Sequence, residues 1–402
     1  MKNTLYTNDN LYVMNGMNSQ SVDLIYLDPP FNSKRTYSAP IGTKAAGASF
    51  KDMWTWKDID ESYLETLADK YPEMATYIAS VGSSHSKAMM AYLTYMAQRI
   101  IEMYRILKDT GSLFLHCDPT ASHYLKQLLD IVFGKQNFMN EIIWYYKNAS
   151  RGKKKFAKSH DVIFWYSKDN SKYTFYRDDI LVPFESGMTE WRYSRGGQAG
   201  KEMPKGKTPD DVFVLPSLNA MDKERTGYPT QKPLALLRKI ILTATAKGDV
   251  VFDPFCGCAT ACVAAQQLGR KWIGIDIEEQ AVKVLIDRLS DDAGLFSDFI
   301  ATKIPPKRTD VREEPITDKS VKERLYADQD GKCNACGVEM RIVDFEIDHI
   351  IPRTKGGGDY YENYQLLCPH CNRTKGDRPM EYLRTKIKHR EELLKNKIIF
   401  GD

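Results

Sequence analysis

Along residues 20–290, short apolar runs alternate with longer segments in which apolar residues recur at helical spacing. Two runs, residues 22–27 and 112–117, stop at an Asp-Pro step and are typical of buried strands. Residues 108–111 are expected to close the helix before the second run. Further strands are predicted at residues 141–146, 162–166, 250–252 and 272–275, and helices at residues 89–107, 123–133, 234–246 and 279–289. This alternation predicts a mostly parallel, doubly wound α/β sheet.

Three segments interrupt the pattern and divide the chain. Residues 51–84 are predicted to form a helical insertion. Residues 172–229 are rich in glycine, arginine, tyrosine and polar residues, which is typical of irregular structure or a loop. Residues 300–320 are polar and contain prolines, as a linker does. We therefore expect one domain over residues 1–299 and a smaller, separately folded domain over residues 321–402.

Composition and charge exclude several classes of protein. Lysine and arginine number 57 against 53 aspartates and glutamates, a formal net charge of +4 that permits nucleic-acid binding without demanding it. No stretch approaches the roughly 18 apolar residues of a membrane span. The polar N-terminus also lacks the apolar core of a secretion signal. We therefore expect a soluble cytoplasmic protein without a membrane partner.

The first chemical signal is the loop Asp28-Pro29-Pro30-Phe31, which follows the predicted strand at residues 22–27. Methylation of the exocyclic amino group of a base needs acceptors that draw the nitrogen lone pair out of ring conjugation. Asp28 and the backbone carbonyl of Pro29 can act as these acceptors, and Phe31 can stack on the base. The base must be flipped out of a duplex to reach them. Alone, this motif is more often a turn that ends a strand.

A second signal lies at residues 253–257, of sequence DPFCG, between a predicted strand and a predicted helix. Such a turn brings backbone close to a cofactor, with a helix N-terminus behind it. After the next strand comes Asp276, placed as an acid that can hydrogen-bond ribose hydroxyls. An aspartate after a strand is usually a helix cap, so each signal is weak alone. Their occurrence together favours a cofactor-dependent group transfer.

These motifs make residues 1 to about 290 resemble the β-group of amino-DNA methyltransferases, a circularly permuted, Rossmann-like fold in which the DPPF motif precedes the cofactor loop. The resemblance extends over residues 111–126, 227–237, 250–261 and 269–277. It implies S-adenosylmethionine as the methyl donor and double-stranded DNA as the substrate, and it allows a homodimer. It also implies a bacterial or phage origin.

The resemblance assigns roles to individual residues. Asp28, Pro29, Pro30 and Phe31 are expected to be catalytic. Asp9 is expected near the adenine of the cofactor, Asp276 on its ribose and the loop at residues 253–257 at its methionine end. The complete cofactor-binding set is Asp9, Asp28, Thr230, Lys232, Pro233, Asp253, Pro254, Phe255, Gly257 and Asp276. Ala259 departs from the pattern, since relatives commonly have a glycine there that allows close backbone approach.

The DPPF form resembles that of adenine N6 methyltransferases, whereas cytosine N4 enzymes of this group more often begin the motif with serine. Adenine is therefore favoured, and cytosine N4 remains the alternative. The basic and aromatic residues at 153–158 and 193–207 are expected to meet phosphates and bases, which makes residues 172–229 the predicted target-recognition insertion. The alternative interpretation of these residues is a solvated, flexible loop.

The C-terminal domain contains two C-x-x-C pairs, which in a cytoplasmic protein indicate metal ligands before disulfides. Their spacing is typical of a closed, tetrahedral structural zinc site. A domain of this size has little core, so the metal would supply much of its folding free energy. The predicted zinc ligands are Cys333, Cys336, Cys368 and Cys371.

Residues 345–377 resemble the HNH nucleases, whose ββα-metal finger cuts phosphodiester bonds. The resemblance implies that His349 is the general base that activates water and that Asn363 orients it. It also implies that Asp348 and Asn372 ligate one catalytic divalent ion, Mg²⁺ or Mn²⁺.

Together these features predict a bifunctional DNA enzyme, an adenine-N6 methyltransferase joined to a zinc-stabilised HNH endonuclease in a restriction–modification or defence protein. In one alternative, the HNH module only binds and targets DNA. In another, the chain is a non-catalytic DNA-binding regulator that retains both folds. The intact set of Asp348, His349, Asn363 and Asn372 favours the nuclease, and binding of S-adenosylmethionine would separate the enzyme from the regulator.

Overall fold

The computed structural model describes residues 2–31, 35–40, 43–46, 49–52, 64, 67, 68, 70–146, 154, 156–184, 195, 198, 201, 204–219, 221–293, 299–317, 319–380 and 382–388. The strands are β1 (Asn3–Thr7), β2 (Val22–Leu27), β3 (Arg35–Ser38), β4 (Ser49–Asp52), β5 (Leu107–Cys117), β6 (Phe138–Tyr145), β7 (His160–Ser167), β8 (Val212–Val214), β9 (Val250–Asp253), β10 (Lys271–Asp276), β11 (Phe299–Thr302), β12 (Glu346–His349) and β13 (Tyr364–Leu367). The helices are α1 (Asn10–Gly16), α2 (Pro72–Ser84), α3 (Lys87–Ile106), α4 (Ser122–Phe133), α5 (Leu234–Ala244), α6 (Thr260–Gln267), α7 (Glu279–Ala293), α8 (Lys319–Asp328) and α9 (Pro369–Lys375).

A nine-stranded sheet in the order β11-β1-β10-β9-β2-β5-β7-β6-β8 organises the first part of the chain. The strands from β11 to β5 are parallel, as the alternation of strands and helices predicts. Beyond β5 the sheet is mixed, because β7 runs antiparallel to both β5 and β6. The α/β fold class is confirmed.

Strand β2 shows why the central strands contain near-continuous apolar runs. Val22, Ile25 and Leu27 pack into one core cluster and Leu24 and Tyr26 into the other. A parallel strand covered by helices on both faces buries both sets of side chains. The residue that follows the last buried position, Asp28, therefore emerges at the carboxyl edge of the sheet, where ligands of open α/β sheets bind.

The structure departs from the predicted elements at several places. Residues 108–111, expected to close a helix, already belong to β5, since α3 ends at Ile106 and the strand begins at the next residue. Within the predicted helical insertion at 51–84, α2 is helical but residues 51 and 52 end strand β4, and residues 53–63 lie outside the described residues. Strand β1 was not predicted, because its pattern is short and mostly polar.

The C-terminal module contains an antiparallel β12–β13 pair followed by α9, the ββα order that the HNH resemblance implies. Asp348 pairs with Gln365 and His349 with Tyr364. The module has its own small core around Phe345, Leu366 and Leu367, together with three of the four predicted zinc-ligand cysteines. No helix among the described residues is long and apolar enough to cross a membrane.

The segment between the two parts of the chain lies against the first part over much of its length. Residues 299–302 form the edge strand β11, paired with β1. Beyond it, the Thr309 hydroxyl accepts a hydrogen bond from the Asn18 amide and the Thr309 backbone N–H donates to the same amide. Asp310 accepts a hydrogen bond from the backbone of Ser19, just after α1. The backbone of Gly356 also approaches Tyr12 of α1 so closely that a Cβ there would collide with the Tyr12 carbonyl. The C-terminal module is therefore docked on α1.

Candidate functional sites

A cavity of about 380 Å³ lies at the carboxyl edge of the parallel strands. It brings together the two loops that the sequence singled out, residues 28–31 after β2 and residues 253–258 after β9. Residues 8–10, 228–232 and 276–278 complete most of the wall. All ten residues of the predicted cofactor-binding set except Pro233 line this cavity, and Pro233 directly follows Lys232.

The two carboxylate oxygens of Asp28 differ in their hydrogen-bond partners among the described residues. Its Oδ2 atom forms an ion pair with the Lys232 ammonium group, and both side chains are largely buried. Its Oδ1 atom is buried and has no hydrogen-bond partner within the described part of the chain. A buried acceptor without a donor is costly unless a ligand supplies the donor. Asp28 is therefore suited to accept an N–H group of a molecule that enters the cavity.

The loop that carries Lys232 has a strained backbone. Thr230 adopts a φ of +61°, a left-handed conformation that is unfavourable for a β-branched residue. Gln231 fixes this loop, since its side-chain carbonyl accepts hydrogen bonds from both the backbone and the hydroxyl of Thr226. Such strain persists where the surroundings enforce it, often at functional sites. Here it directs Lys232 toward Asp28.

The loop at 253–257 folds back on Asp276. The backbone N–H of Gly257 donates to Asp276 at 2.8 Å, and that of Phe255 donates to Asp253 at 3.1 Å. Gly257 has a φ of +51°, and a Cβ there would lie 3.0 Å from the Tyr228 ring. This close approach explains the glycine.

Burial raises the pKa of Asp276 to about 6, although the N–H groups of Glu278 and Gly257 act in the opposite direction. Burial likewise raises the pKa of Asp253 well above its usual range, and the Asp28 charge adds to this effect. The cavity wall is thus acidic, with Lys232 as its cationic counterpart. Such a wall suits a ligand that carries positive charge and hydroxyl groups.

Asp9, which also lines the cavity, caps α1 by accepting a hydrogen bond from the backbone of Leu11. Arg99 donates to Asp9 and, through Nε, to Asn10. Asn10 in turn donates to the backbone carbonyl of Pro254 at 2.8 Å. The sequence analysis missed Arg99 and Asn10. A buried arginine within the apolar face of α3 was the available signal.

Several of the predicted target-recognition residues lie outside the described residues. This holds for Lys153 and for much of residues 193–207. In the described part, Lys207 pairs with Val182 through backbone hydrogen bonds and with Asp210 through its side chain. The target-recognition role stays a prediction.

The four cysteines of the C-terminal module converge. One ligand atom from each of Cys333, Cys336, Cys368 and Cys371 lies within 4.8 Å of the others. The Sγ atoms of Cys336 and Cys368 are 3.9 Å apart, close to the spacing of about 3.8 Å that four thiolates take around a tetrahedral zinc ion. Backbone N–H groups of Cys368 and Cys371 donate to neighbouring sulfurs. The cluster fits a structural zinc ion.

The HNH residues occupy the adjacent hairpin. His349 contacts Asp359 at 2.7 Å, and Arg353 donates to both oxygens of that carboxylate. The side-chain amide of Asn363, predicted to orient His349, instead bonds the backbone of Ile351 and Gly358. Asn363 thereby shapes the loop that carries Asp359, the residue that contacts the imidazole. The sequence analysis missed Asp359.

The two predicted ligands of the catalytic metal have different partners. Asp348 accepts hydrogen bonds from Gln365 and from the fully buried Lys375. The Asn372 amide donates to Glu346 at 2.5 Å, so its carbonyl oxygen is the atom suited to a cation. A carboxylate and an amide oxygen are the donor types that Mg²⁺ and Mn²⁺ prefer, although Lys375 already neutralises Asp348.

Comparisons with known proteins agree with this division. A family model described as DNA methylase matches residues 22–287, and one described as HNH endonuclease matches residues 333–378. The chain is 26% identical over 307 residues to the DNA adenine methyltransferase YhdJ of Escherichia coli (strain K12), covering 76% of this chain and 88% of that protein. It is 25% identical over 296 residues to the type II methyltransferase M.HpaI of Haemophilus parainfluenzae, covering 74% and 77% respectively. A solved structure described as PvuII DNA methyltransferase (cytosine-N4-specific) shares 14% identity at a TM-score of 0.45, covering 75% of this chain and 95% of that one.

Proposed function

This chain belongs to the DNA methylase family and carries an HNH endonuclease domain, and we propose that it transfers a methyl group from S-adenosylmethionine to N6 of adenine in DNA. The observation that carries the proposal is the buried, unpartnered Oδ1 atom of Asp28 in a cavity that also contains Phe31. The aspartate that begins the DPPF motif and the likeness to an adenine methyltransferase favour adenine over cytosine N4.

The residues of the cavity fit S-adenosylmethionine. When bound, this cofactor supplies an electrophilic methyl group on a sulfonium centre. Asp276 retains acceptor capacity for ribose hydroxyls, because a carboxylate can accept more bonds than the two that Gly257 and Glu278 donate. The carboxylates of Asp28 and Asp276 in the cavity wall attract the positive charge of the cofactor.

The chain's own groups act on the amino nitrogen of the flipped base. Oδ1 of Asp28 and the carbonyl oxygen of Pro29 accept its two N–H bonds, which localises the lone pair for attack. Lys232 donates to the other carboxylate oxygen, which leaves Oδ1 to face the positive charge that develops on the nitrogen. Phe31 stacks on the base.

The test is incorporation of tritiated methyl groups into unmethylated plasmid DNA, followed by sequencing that identifies the modified base. Asp28→Ala removes the acceptor and abolishes methylation while binding of S-adenosylhomocysteine persists. The control is Asp178→Ala, since the Asp178 side chain is 87% exposed and remote from the cavity wall. Loss of cofactor binding in Asp28→Ala would contradict the base-facing role. Detection of N4-methylcytosine in the DNA methylated by the wild-type protein would show that cytosine N4, the alternative, is the target.

For the second domain we propose metal-dependent cleavage of DNA, with His349 as general base and Asp348 and Asn372 as ligands of Mg²⁺ or Mn²⁺. The contact of His349 with Asp359 supports the first role, because a carboxylate fixes the tautomer and the orientation of the imidazole. In a restriction–modification protein, the methyl mark would protect sites from this cleavage.

A gel assay with Mg²⁺ separates the alternatives, using unmethylated and premethylated plasmid and His349→Ala as the control. Cleavage of unmethylated DNA alone supports restriction and modification in one chain. Cleavage of methylated DNA alone means that the mark licenses the nuclease. Absence of cleavage in both supports a module that only binds and targets DNA.

A further inference from the structure

One residue in the segment between the two domains reaches the proposed nuclease site. The backbone N–H of Glu314 donates to the carbonyl oxygen of Asp359 at 2.9 Å. The carbonyl oxygen of Glu314 accepts a hydrogen bond from the Tyr364 hydroxyl at 2.7 Å. An N–H group only donates and a carbonyl oxygen only accepts, so the direction of both bonds is fixed. Glu314 lies within residues 300–320, which the sequence analysis interpreted as a linker.

Both partners of Glu314 contact the imidazole of His349. Asp359 lies 2.7 Å from Nε2, and the Tyr364 ring meets the imidazole edge-on with centroids 5.1 Å apart. A proposed general base is effective where its neighbours hold it in place, and those neighbours need hydrogen bonds of their own. Glu314 supplies such a bond to each of them. Its two backbone groups are therefore connected to His349 through Asp359 and Tyr364.

The segment that leads to Glu314 is fastened to the first domain. The Asp310 carboxylate accepts a hydrogen bond from the backbone N–H of Ser19, just after α1, at 2.9 Å. At the other end, the Glu314 carboxylate pairs with Arg324 of α8 in the C-terminal module. We call residues 306–314 the brace, because they join α1 to the neighbours of the proposed general base.

The contact of the brace with α1 is backbone against backbone. A Cβ at Gly16, the last residue of α1, would collide with the carbonyl oxygen of Pro306. Gly16 has a helical backbone, so the close approach of Pro306 explains the glycine. Gly356 meets the Tyr12 carbonyl in the same way from the nuclease side. The two glycines together allow the C-terminal module and the brace to lie directly on α1.

We propose that the brace, anchored on α1 of the first domain, positions Asp359 and Tyr364 against His349 and thereby completes the nuclease site. DNA cleavage then depends on contacts with the first domain that lie outside the HNH motif. A module whose brace is released from α1 keeps its zinc ion and its fold but loses cleavage rate. The inference rests on the proposed cleavage of DNA.

The first test releases the anchor at Asp310. Asp310→Ala removes the acceptor for the Ser19 N–H, and we expect the kcat for plasmid cleavage with Mg²⁺ to fall about tenfold, with the KM for DNA and the zinc content unchanged. Asp310→Asn keeps an acceptor oxygen and should recover part of the loss. Asp344→Ala is the control, since that carboxylate pairs with Arg341 within the module.

The second test is a wedge on the far side of the contact. Gly16→Ala is compatible with a helical backbone, but its methyl group displaces Pro306 because Val13 and Met14 hold α1 in the core. We expect cleavage to fall about ten- to a hundredfold while binding of S-adenosylhomocysteine is unchanged. Gly82→Ala is the control, since the nearest atoms to its added methyl group belong to the flexible Met90 side chain.

Hydrogen exchange followed by mass spectrometry gives a measurement that needs no activity. In Asp310→Ala and Gly16→Ala, we expect faster exchange in peptides that contain Glu314 and the loop at residues 353–364, since the hydrogen bonds of the brace open more often. Unchanged exchange in both variants overturns the anchoring of the brace on α1. Faster exchange with cleavage at the wild-type rate overturns its positioning role.

The zinc content and the wild-type activity separate the remaining outcomes. Loss of zinc together with cleavage in both variants would mean that the brace only stabilises the fold of the module, which overturns the positioning role. A wild-type protein that cleaves neither plasmid contradicts the proposed nuclease, and the positioning role is overturned with it. The exchange rates still decide in that case whether the brace is held by α1.

Discussion

His349 and Asp359 are joined by a 2.7 Å hydrogen bond, and the carboxylate that holds the imidazole is itself clamped by Arg353. Burial acts to raise the pKa of Asp359, but the bonds from His349 and Arg353 outweigh it and lower that pKa. Asp359 therefore stays ionised near neutral pH. In the nuclease proposal, it is a positioning residue for the general base.

Replacing Asp359 tests this relationship. We expect Asp359→Ala to lower the rate of DNA cleavage about ten- to a hundredfold, because the imidazole loses both its orientation and its fixed tautomer. Zinc content and methylation should be unchanged. Asp344→Ala is the matched control, since the Asp344 carboxylate pairs with the exposed Arg341 three residues before it. Cleavage at the wild-type rate in Asp359→Ala would show that His349 does not depend on this carboxylate.

The ion pair of Lys232 with Asp28 yields a second prediction. Lys232→Met leaves a largely buried carboxylate without its cation, which we expect to cost about 2 kcal/mol of stability. The methylation kcat should fall at least about a hundredfold, since Asp28 would lose the cation that holds its carboxylate in place against the target nitrogen. Urea unfolding and methyl incorporation measure the two effects.

Lys239→Met is the control for that experiment. Lys239 is a half-buried lysine whose ammonium group lies over the Phe213 ring, and it does not line the cavity. An unchanged kcat in Lys232→Met would remove Lys232 from the methyl-transfer machinery and leave it a structural counter-ion.

The sequence predicted the positions of the loops that build the cavity because the signals are local. A strand that is buried on both faces and stops at Asp28 or Asp253 identifies a carboxyl edge without further information. The four cysteines are likewise a spacing pattern, and the structure brings them together. Local pattern and tertiary placement agree in these cases.

Contacts between distant parts of the chain were not predictable. Lys232 and Asp28 are 204 positions apart, and Arg99 and Asp9 are 90 apart, so only the folded sheet brings them together. The HNH resemblance assigned Asn363 to orient His349, and the motif did not indicate that the Asn363 amide bonds the backbone of Ile351 and Gly358. Strand β7 was predicted at residues 162–166, but its antiparallel direction was not, because strand direction depends on pairing partners.

The buried Asp276 predicts a pH dependence of stability. Its pKa of about 6 in the folded protein exceeds the ordinary value of 3.8. Between these pH values the folded protein keeps a proton on Asp276 that the unfolded chain releases. The free energy of unfolding therefore falls as the pH rises toward 6. Asp276→Asn removes this contribution. Urea unfolding at pH 4.5, 5.5 and 6.5 should show that the variant gains stability relative to wild type across this range, whereas Asp178→Asn gains none.

Removing one cysteine tests the zinc cluster. We expect Cys333→Ser to release zinc and to unfold the C-terminal module, because the metal supplies much of the free energy that folds so small a core. Zinc content by atomic absorption and the thermal unfolding profile are the measurements. Cys117→Ser is the control, since Cys117 lies in the core of the large sheet and should leave zinc content at its wild-type value. Unchanged zinc content in Cys333→Ser would contradict the four-cysteine site.

The last prediction concerns Ala259, where the resemblance implied a glycine. Ala259 has a φ of +56° and a ψ of +37°, the left-handed conformation, at the start of α6. This conformation costs a residue with a Cβ about 1–2 kcal/mol, and a glycine at this position would avoid that cost. Glycine is also more flexible in the unfolded chain, which would cancel about half of the gain. We therefore expect Ala259→Gly to stabilise the protein by about 0.5–1 kcal/mol in urea unfolding.

Ala264→Gly is its matched control, because Ala264 is equally buried in the same helix but in its interior. There the substitution should destabilise the protein by about 1 kcal/mol. Since the same chemical change is made at both positions, opposite signs would isolate the backbone conformation as the cause. Destabilisation at both positions would mean that the Ala259 methyl group contributes more by packing than its backbone loses by strain.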